Sequence, residues 1–217
     1  MSESCEMTSR SWAIFGVDSS FSAEIIETLR RLGHSVAVGV ITGEPEWTIN
    51  DVELLCEERG IDERHLSLPV AVPWVTPSLR IDRTRRAQQA GFREFAAVVD
   101  PTAILASNAR LGRGVYVNAG AVVGADVTIE DHVTINRAAS IGHHTTLAEF
   151  ASIGPGAIVA SKCAIGRAAL IGAGATVGPG VVLGDGCTVA LGAVVAREVQ
   201  AGVTVAGNPA RPVRKAG

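Results

Sequence analysis

Histidine is the side chain whose proton comes and goes near neutral pH, so it marks where this sequence could run acid–base chemistry. The chain carries five. His34 and His65 fall in the first half, whereas His132, His143 and His144 fall in the second, inside a strongly periodic stretch. Imidazoles could instead gather around a zinc ion, three to a site. His132 and His144 are 12 residues apart and His143 directly precedes His144, a spacing that puts them on different faces of the repeat and argues against one shared ion. No metal is expected. Thiol chemistry is disfavoured as well: of Cys5, Cys56, Cys163 and Cys187, the last two take small inward positions of the repeat, where a thiol is a compact hydrophobe. They read as buried thiols rather than a disulfide. Two readings stay open for a histidine on the repeat, a general base working with a donor that holds an oxyanion and a solvated side chain on a coil face.

The element that must position these groups is a repeat. From Val99 to Val195 an aliphatic residue occupies every sixth position, and four residues after each comes a small or β-branched one, from Ala103 to Val199. A unit this short cannot bury its own apolar face and must stack on its neighbours, which makes a solenoid. Three six-residue sides close a triangular coil, and coils stack at about 4.8 Å. Residues 18 apart therefore lie one above the other. The position after the aliphatic one holds Gly112, Gly124, Gly142, Gly154, Gly166, Gly172, Gly178 and Gly184, with Asn118 and Asn136, residues that accept positive φ at corners. No unit is interrupted by an insertion, so any site must come from the flat faces, a neighbouring subunit and the rest of the chain.

Composition bounds the rest. The repeat fills about the last half of 217 residues, and something else folds in front. A net charge of −3 argues against a nucleic-acid partner. Aromatics make up only 4%, as a narrow prism requires. Residues 1–10 are polar and no apolar stretch reaches membrane-spanning length, so no membrane partner and a cytoplasmic location are expected. The front half reads as strand 12–17, helix 22–32, strand 35–41, a helix starting at Thr48-Ile49-Asn50-Asp51 and running to residue 59, a weaker strand 66–72, and helix 77–90 opened by Thr76-Pro77. That alternation is the order of a doubly wound α/β sheet, whose ligands bind outside the carboxyl ends of the strands, here near residues 16–20. The loop there has one glycine, Gly16, so the dinucleotide fingerprint is absent. Ser19 and Ser20 could donate to a phosphate or simply cap the helix, and Asp18 would repel an anion.

The order of these parts resembles a known family. A small Rossmann-like unit, then Gly91-Phe92-Arg93-Glu94-Phe95 and Val98-Val99-Asp100-Pro101-Thr102-Ala103, then the hexapeptide prism, then Val205-Ala206-Gly207-Asn208-Pro209-Ala210-Arg211, is similar to the NeuD/PglD sugar acetyltransferases. The resemblance implies an α/β Rossmann-like domain followed by a left-handed parallel β-helix. The expected layout is a tail over 1–10, an acceptor-binding domain over 11–95, the acyltransferase prism over 96–205 and a second tail over 206–217. It also implies acetyl-CoA as co-substrate, a nucleotide-linked amino sugar as acceptor, and a homotrimer with sites between subunits.

Site residues carry over by position. The segment Asn136-Arg137-Ala138-Ala139-Ser140-Ile141-Gly142-His143-His144, followed by Glu149-Phe150, resembles the family's active-site segment, and the catalytic histidine falls on His143. Many relatives have an acid beside it, and here His144 stands there. A second family histidine aligns with Ser152, which can donate a hydrogen bond but cannot act as a base. Asn136 and Glu149 would position acceptor or base. Ser161, 18 residues after His143, should lie one coil along, where its amide could hold an oxyanion. Gly172, Ala173, Gly178 and Pro179 would let a pantetheine arm lie against the backbone, and Arg211, Arg214 and Lys215 could face CoA phosphates. Acyl transfer to a sugar hydroxyl such as that of sialic acid, a longer acyl donor, and a sugar-nucleotide-binding scaffold that has lost catalysis are the alternatives. The scaffold reading draws on the single-glycine loop and on the His144 and Ser152 replacements.

Overall fold

The computed structural model describes residues 9–44, 52–57 and 60–213. A front unit precedes a prism. In the front unit, β1 (Ser11–Phe15), β2 (Ser35–Ile41), β3 (Glu53–Cys56) and β4 (Val70–Ala71) form an all-parallel sheet in the order β3-β2-β1-β4. Alternation along β1 sorts its side chains: Trp12 and Ile14 pack with Ile25, Ile26 and Leu29 of α1 (Ser22–Arg31), while Ala13 and Phe15 pack with Ala87 and Phe92 at the end of α3 (Pro77–Ala90). Pro77 opens α3 and Gly91, at φ 113°, closes it, as the sequence suggests.

Two expectations fail here. The helix expected over 48–59 is replaced, within the described residues, by β3, which pairs Val38 with Glu53 through Ile41 with Cys56. The Thr48–Asp51 capping signal itself lies outside the described residues. Pairing wins because β2 has an open edge on that side, and a short Leu-Leu-Cys run satisfies its backbone groups where an isolated helical turn could not. The expected strand 66–72 shrinks to β4, preceded by a single turn, α2 (Glu63–Leu66).

The prism runs from β5 (Val98–Val99) to β21 (Val194–Val195), one two-residue strand per hexapeptide, and closes with β22 (Thr204–Ala206) and β23 (Arg211–Pro212). Three parallel sheets of five, six and eight strands make its sides; β23 alone runs antiparallel, against β22. Register is the 18-residue offset read from the sequence, with Ser140 opposite Ile158 and Ile141 opposite Val159. The inward aliphatic and small residues form one continuous core, Cys163 and Cys187 included. Both are free thiols, and burial raises the pKa of each, Cys187 to about 11.

The corner chemistry needs correction. From Gly114 to Gly192 positive φ occurs at the third residue after each aliphatic one, at Asp126, His132, Ala138, His144, Phe150, Lys162 and Ala168 and at glycines such as Gly180. The glycines and asparagines directly after the aliphatic residue do not carry it. Gly142 is there for space: a Cβ on it would lie 2.4 Å from the Ser161 amide nitrogen on the next coil. Left-handed backbone costs a non-glycine residue about 1–2 kcal/mol, and a bond between coils offsets it. The His144 amide donates to Ala125 O at 2.9 Å, and Lys162 donates to His143 O at 2.9 Å.

Arg80 joins the two regions. It is 2% exposed, and its guanidinium donates to the carbonyls of Trp74 and Val75 in the front unit and of His132, Phe150 and Ala151 in the prism. Burial without a carboxylate partner pushes its pKa down to about 9. A second joint places the Asp100 carboxylate within bonding reach of Thr28 and Arg31 on α1.

Candidate active site

The coil geometry sorts the expected site residues by corner. At the corner after the six-stranded sheet, residues at the 18-residue interval run Ala125, His143, Ser161, Pro179. Gly142 and Gly178 precede this column, and Asp126, His144, Lys162 and Gly180 follow it. Gly178, Pro179 and Gly180 leave the coil edge beside Ser161 nearly bare of side chain. His143 is exposed, and among the described residues the Ser161 N–H makes no hydrogen bond. Base and amide donor therefore stand on adjacent rungs.

His143 does not stand alone. Its Nδ1 lies 2.9 Å from Nδ1 of His144, with the rings nearly perpendicular at 85°. On the other side of His144, Nε2 is 3.6 Å from Asp126 Oδ2. Asp126 is held in turn by Asn108 one coil back, whose Nδ2 donates to Oδ1 at 2.8 Å and whose Oδ1 accepts the Asp126 amide at 3.1 Å.

The remaining expected residues lie elsewhere. Asn136, Gly172 and Ala173 belong to the corner after the eight-stranded sheet. Asn136 is buried, accepting from Asn118 Nδ2 at 3.2 Å and from the Arg137 amide at 2.8 Å. Arg137 and Asn118 both reach Glu24 of α1, and a cavity of about 310 Å³ opens between α1 and this corner. Glu149 sits on the third corner, exposed, within 3.5 Å of Arg167. One six-residue side, roughly 15–20 Å of extended chain, separates each corner from the next. Ser152 is fully buried, and its hydroxyl donates to Val75 O of the front unit at 2.6 Å; it serves the joint that Arg80 also serves. Ser19 is buried and accepts from the Phe21 amide at 3.3 Å, while Ser20 is exposed. Asp18, expected to repel an anion, is occupied: its Oδ1 accepts the Thr42 amide at 2.7 Å. His132 is on the Glu149 corner, stacked on Phe150 with Phe95 at its edge. Burial holds its pKa down, to about 4.

Sequence reasoning missed Asp126 and Arg80. Asp126 lies 18 residues before His144, and the arithmetic that links Ser161 to His143 would have found it. Arg80 carries no comparable signal, since nothing in a polar helix with four arginines marks the one that points inward.

Residues 162–197 match the family described as bacterial transferase hexapeptide (six repeats). Comparison of the sequence with curated proteins finds no match. Among solved structures, the acetyltransferase domain of PglB from Neisseria gonorrhoeae FA1090 is 28% identical, with a TM-score of 0.83 over 94% of this chain and 100% of that one. A histidine-to-asparagine mutant of perosamine N-acetyltransferase from Caulobacter crescentus, in complex with CoA and GDP-perosamine, is 29% identical, with a TM-score of 0.84 over 96% of this chain and 98% of that one. The chain thus carries the hexapeptide repeat of bacterial transferases over residues 162–197 and, over nearly its whole length, is similar in fold to solved sugar acetyltransferases. The resemblance to the NeuD/PglD sugar acetyltransferases is borne out by these likenesses. WeeI from Acinetobacter baumannii AYE, 21% identical with a TM-score of 0.65 over 95% of this chain and 100% of that one, shares the fold. No helix of the protein is long and apolar enough to cross a membrane, among the described residues.

Proposed function

We propose that the protein transfers the acetyl group of acetyl-CoA to the amine of a nucleotide-linked amino sugar. The observation that carries this reading is the corner where exposed His143 adjoins the unengaged Ser161 amide, beside the bare Gly178-Pro179-Gly180 edge. In it the sugar nitrogen attacks the thioester carbonyl, and His143 Nε2 takes the proton that the nitrogen loses. The Ser161 N–H holds the oxyanion of the tetrahedral intermediate until the C–S bond breaks, and the CoA thiolate then recovers a proton. The solved complexes of the perosamine enzyme with CoA and GDP-perosamine support the donor and the acceptor class.

The layout of the site follows. Residues 11–95, a Rossmann-like domain, hold the nucleotide sugar, and residues 96–205, a left-handed prism, carry the donor. Asn136, Gly172 and Ala173 on one corner and Glu149 on another join His143 only when a second copy brings its own corner alongside, which favours a homotrimer with sites between subunits. Ile104, Val122 and Ile158, exposed on the six-stranded side, give such a neighbour an apolar surface to cover.

Thiol release from acetyl-CoA, measured with GDP-, UDP- and dTDP-linked 4-amino sugars, tests the proposal. Release that depends on one such acceptor and falls about 100-fold or more in His143→Ala supports it. Full turnover in that variant would remove His143 from the mechanism, and no release with any acceptor, while CoA still binds, would favour the scaffold.

A further inference from the structure

The corner beside His143 contains a chain of groups that the reaction outlined above does not use. We propose that Asp126 and His144 are positioning residues that fix the tautomer of His143 across two coils. The inference rests on the reading of His143 as the base. It starts from a constraint: two Nδ1 atoms 2.9 Å apart can share only one proton, so one ring donates and the other presents a lone pair.

Asp126 decides which. Asn108 engages Asp126 Oδ1, leaving Oδ2 turned to His144 Nε2 at 3.6 Å, just beyond hydrogen-bond length. A carboxylate there favours the proton on His144 Nε2. His144 Nδ1 is then bare and accepts from His143 Nδ1–H. His143 Nε2 is left with its lone pair, the state a general base must be in before it takes a proton. When the amine gives up its proton to Nε2, the imidazolium is held by the same bond, with the Asp126 charge behind it. The arrangement divides between two residues the work that a carboxylate does directly for a catalytic histidine in a Ser-His-Asp triad. Other groups near this chain are Lys162, one rung beyond His144 in the same column, Glu198 two rungs further, and Ser161 beside His143. Ser161 and Lys162 bring no carboxylate to the pair, and Glu198 is too many rungs away to replace Asp126.

The register makes the device possible. Positions three residues after each aliphatic one stack at 18-residue intervals, so Asp126 and His144 occupy equivalent left-handed slots, at φ 57° and 58°. Their side chains leave parallel backbones in the same direction.

Two measurements test the proposal on the full-length protein. Long-range 1H–15N spectra of histidine-labelled protein at neutral pH should show His143 as the Nδ1–H tautomer and His144 as the Nε2–H tautomer, and Asp126→Gly, which fits the left-handed backbone, should return His143 to a mixture. In the kinetic arm, Asp126→Asn and His144→Gly should each lower kcat about 10–100-fold with the KM for acetyl-CoA unchanged. The double variant should lose no more than His144→Gly alone, because Asp126 acts only through that ring. His143 found as Nε2–H in the unaltered protein, an undiminished kcat in Asp126→Asn, or losses that multiply in the double variant would overturn it. Should the unaltered protein acetylate no acceptor, the proposed function falls while the spectra still decide the tautomer.

Discussion

The prism and the front unit are both stacks of parallel strands, but they hold together on different terms. In the prism the coils repeat an inward aliphatic residue, from Gly114 to Gly192 a left-handed corner, and at most of those corners an amide-to-carbonyl bond to the coil before, so each contact has near copies above and below. The front sheet has four strands in one order, and its attachment depends on single groups: the Arg80 guanidinium, the Ser152 hydroxyl on Val75, and Asp100 with Thr28 and Arg31. Damage to a repeated contact is shared among neighbours. Damage to a single one is not.

The largest effect should therefore come from the joint. Arg80→Met leaves buried carbonyls on both regions without a donor and is expected to cost about 3–5 kcal/mol. Hydrogen exchange should show β1 and β2 losing protection while the later coils keep theirs; equal loss in both regions would erase the distinction. Acid should loosen the same area. The neutral imidazole of His132, whose carbonyl Arg80 also holds, takes up a proton near pH 6.5 once unfolded but only near 4 when folded. The contribution is thus complete above pH 6.5 and is lost as pH falls towards 4, by at most about 3 kcal/mol. His132→Asn, compatible with φ 58°, should flatten the pH dependence of Tm across that window. Next comes Gly142→Ala, whose Cβ would meet the Ser161 amide. It should cost about 1–3 kcal/mol and lower acetyl transfer by displacing that amide, whereas Gly33→Ala, with open space around it, should cost only the backbone strain of about 1 kcal/mol. The smallest effect belongs to the exposed Arg113–Asp131 pair: Arg113→Ala should change stability by under about 1 kcal/mol, as read from denaturant midpoints.

The same contrast explains what could be read beforehand. A period of six repeated from Val99 to Val195 over-determines the prism, and with it the adjacency of His143 and Ser161. It left the φ pattern misplaced, because glycine serves open corners and tight clearances alike, and only coordinates separate Gly142 from Gly180. In the front unit no repetition corrects a local misreading, so a capping signal outweighed the strand that β2 required at residues 53–56. Ser152 was read as a site residue from its alignment, but a serine buried at a joint and one lining a pocket have the same letter. Asp126 was within reach of the 18-residue arithmetic; Arg80, defined wholly by what folds over it, was not.

The last strand, β23, turns back antiparallel on β22 and contains Pro212, which has no N–H to offer. A solenoid grows by parallel addition, and the open rung of one molecule would otherwise template the first rung of another. With the polarity reversed at that edge, a parallel strand from another molecule meets a mismatched hydrogen-bond pattern on the eight-stranded side of the prism.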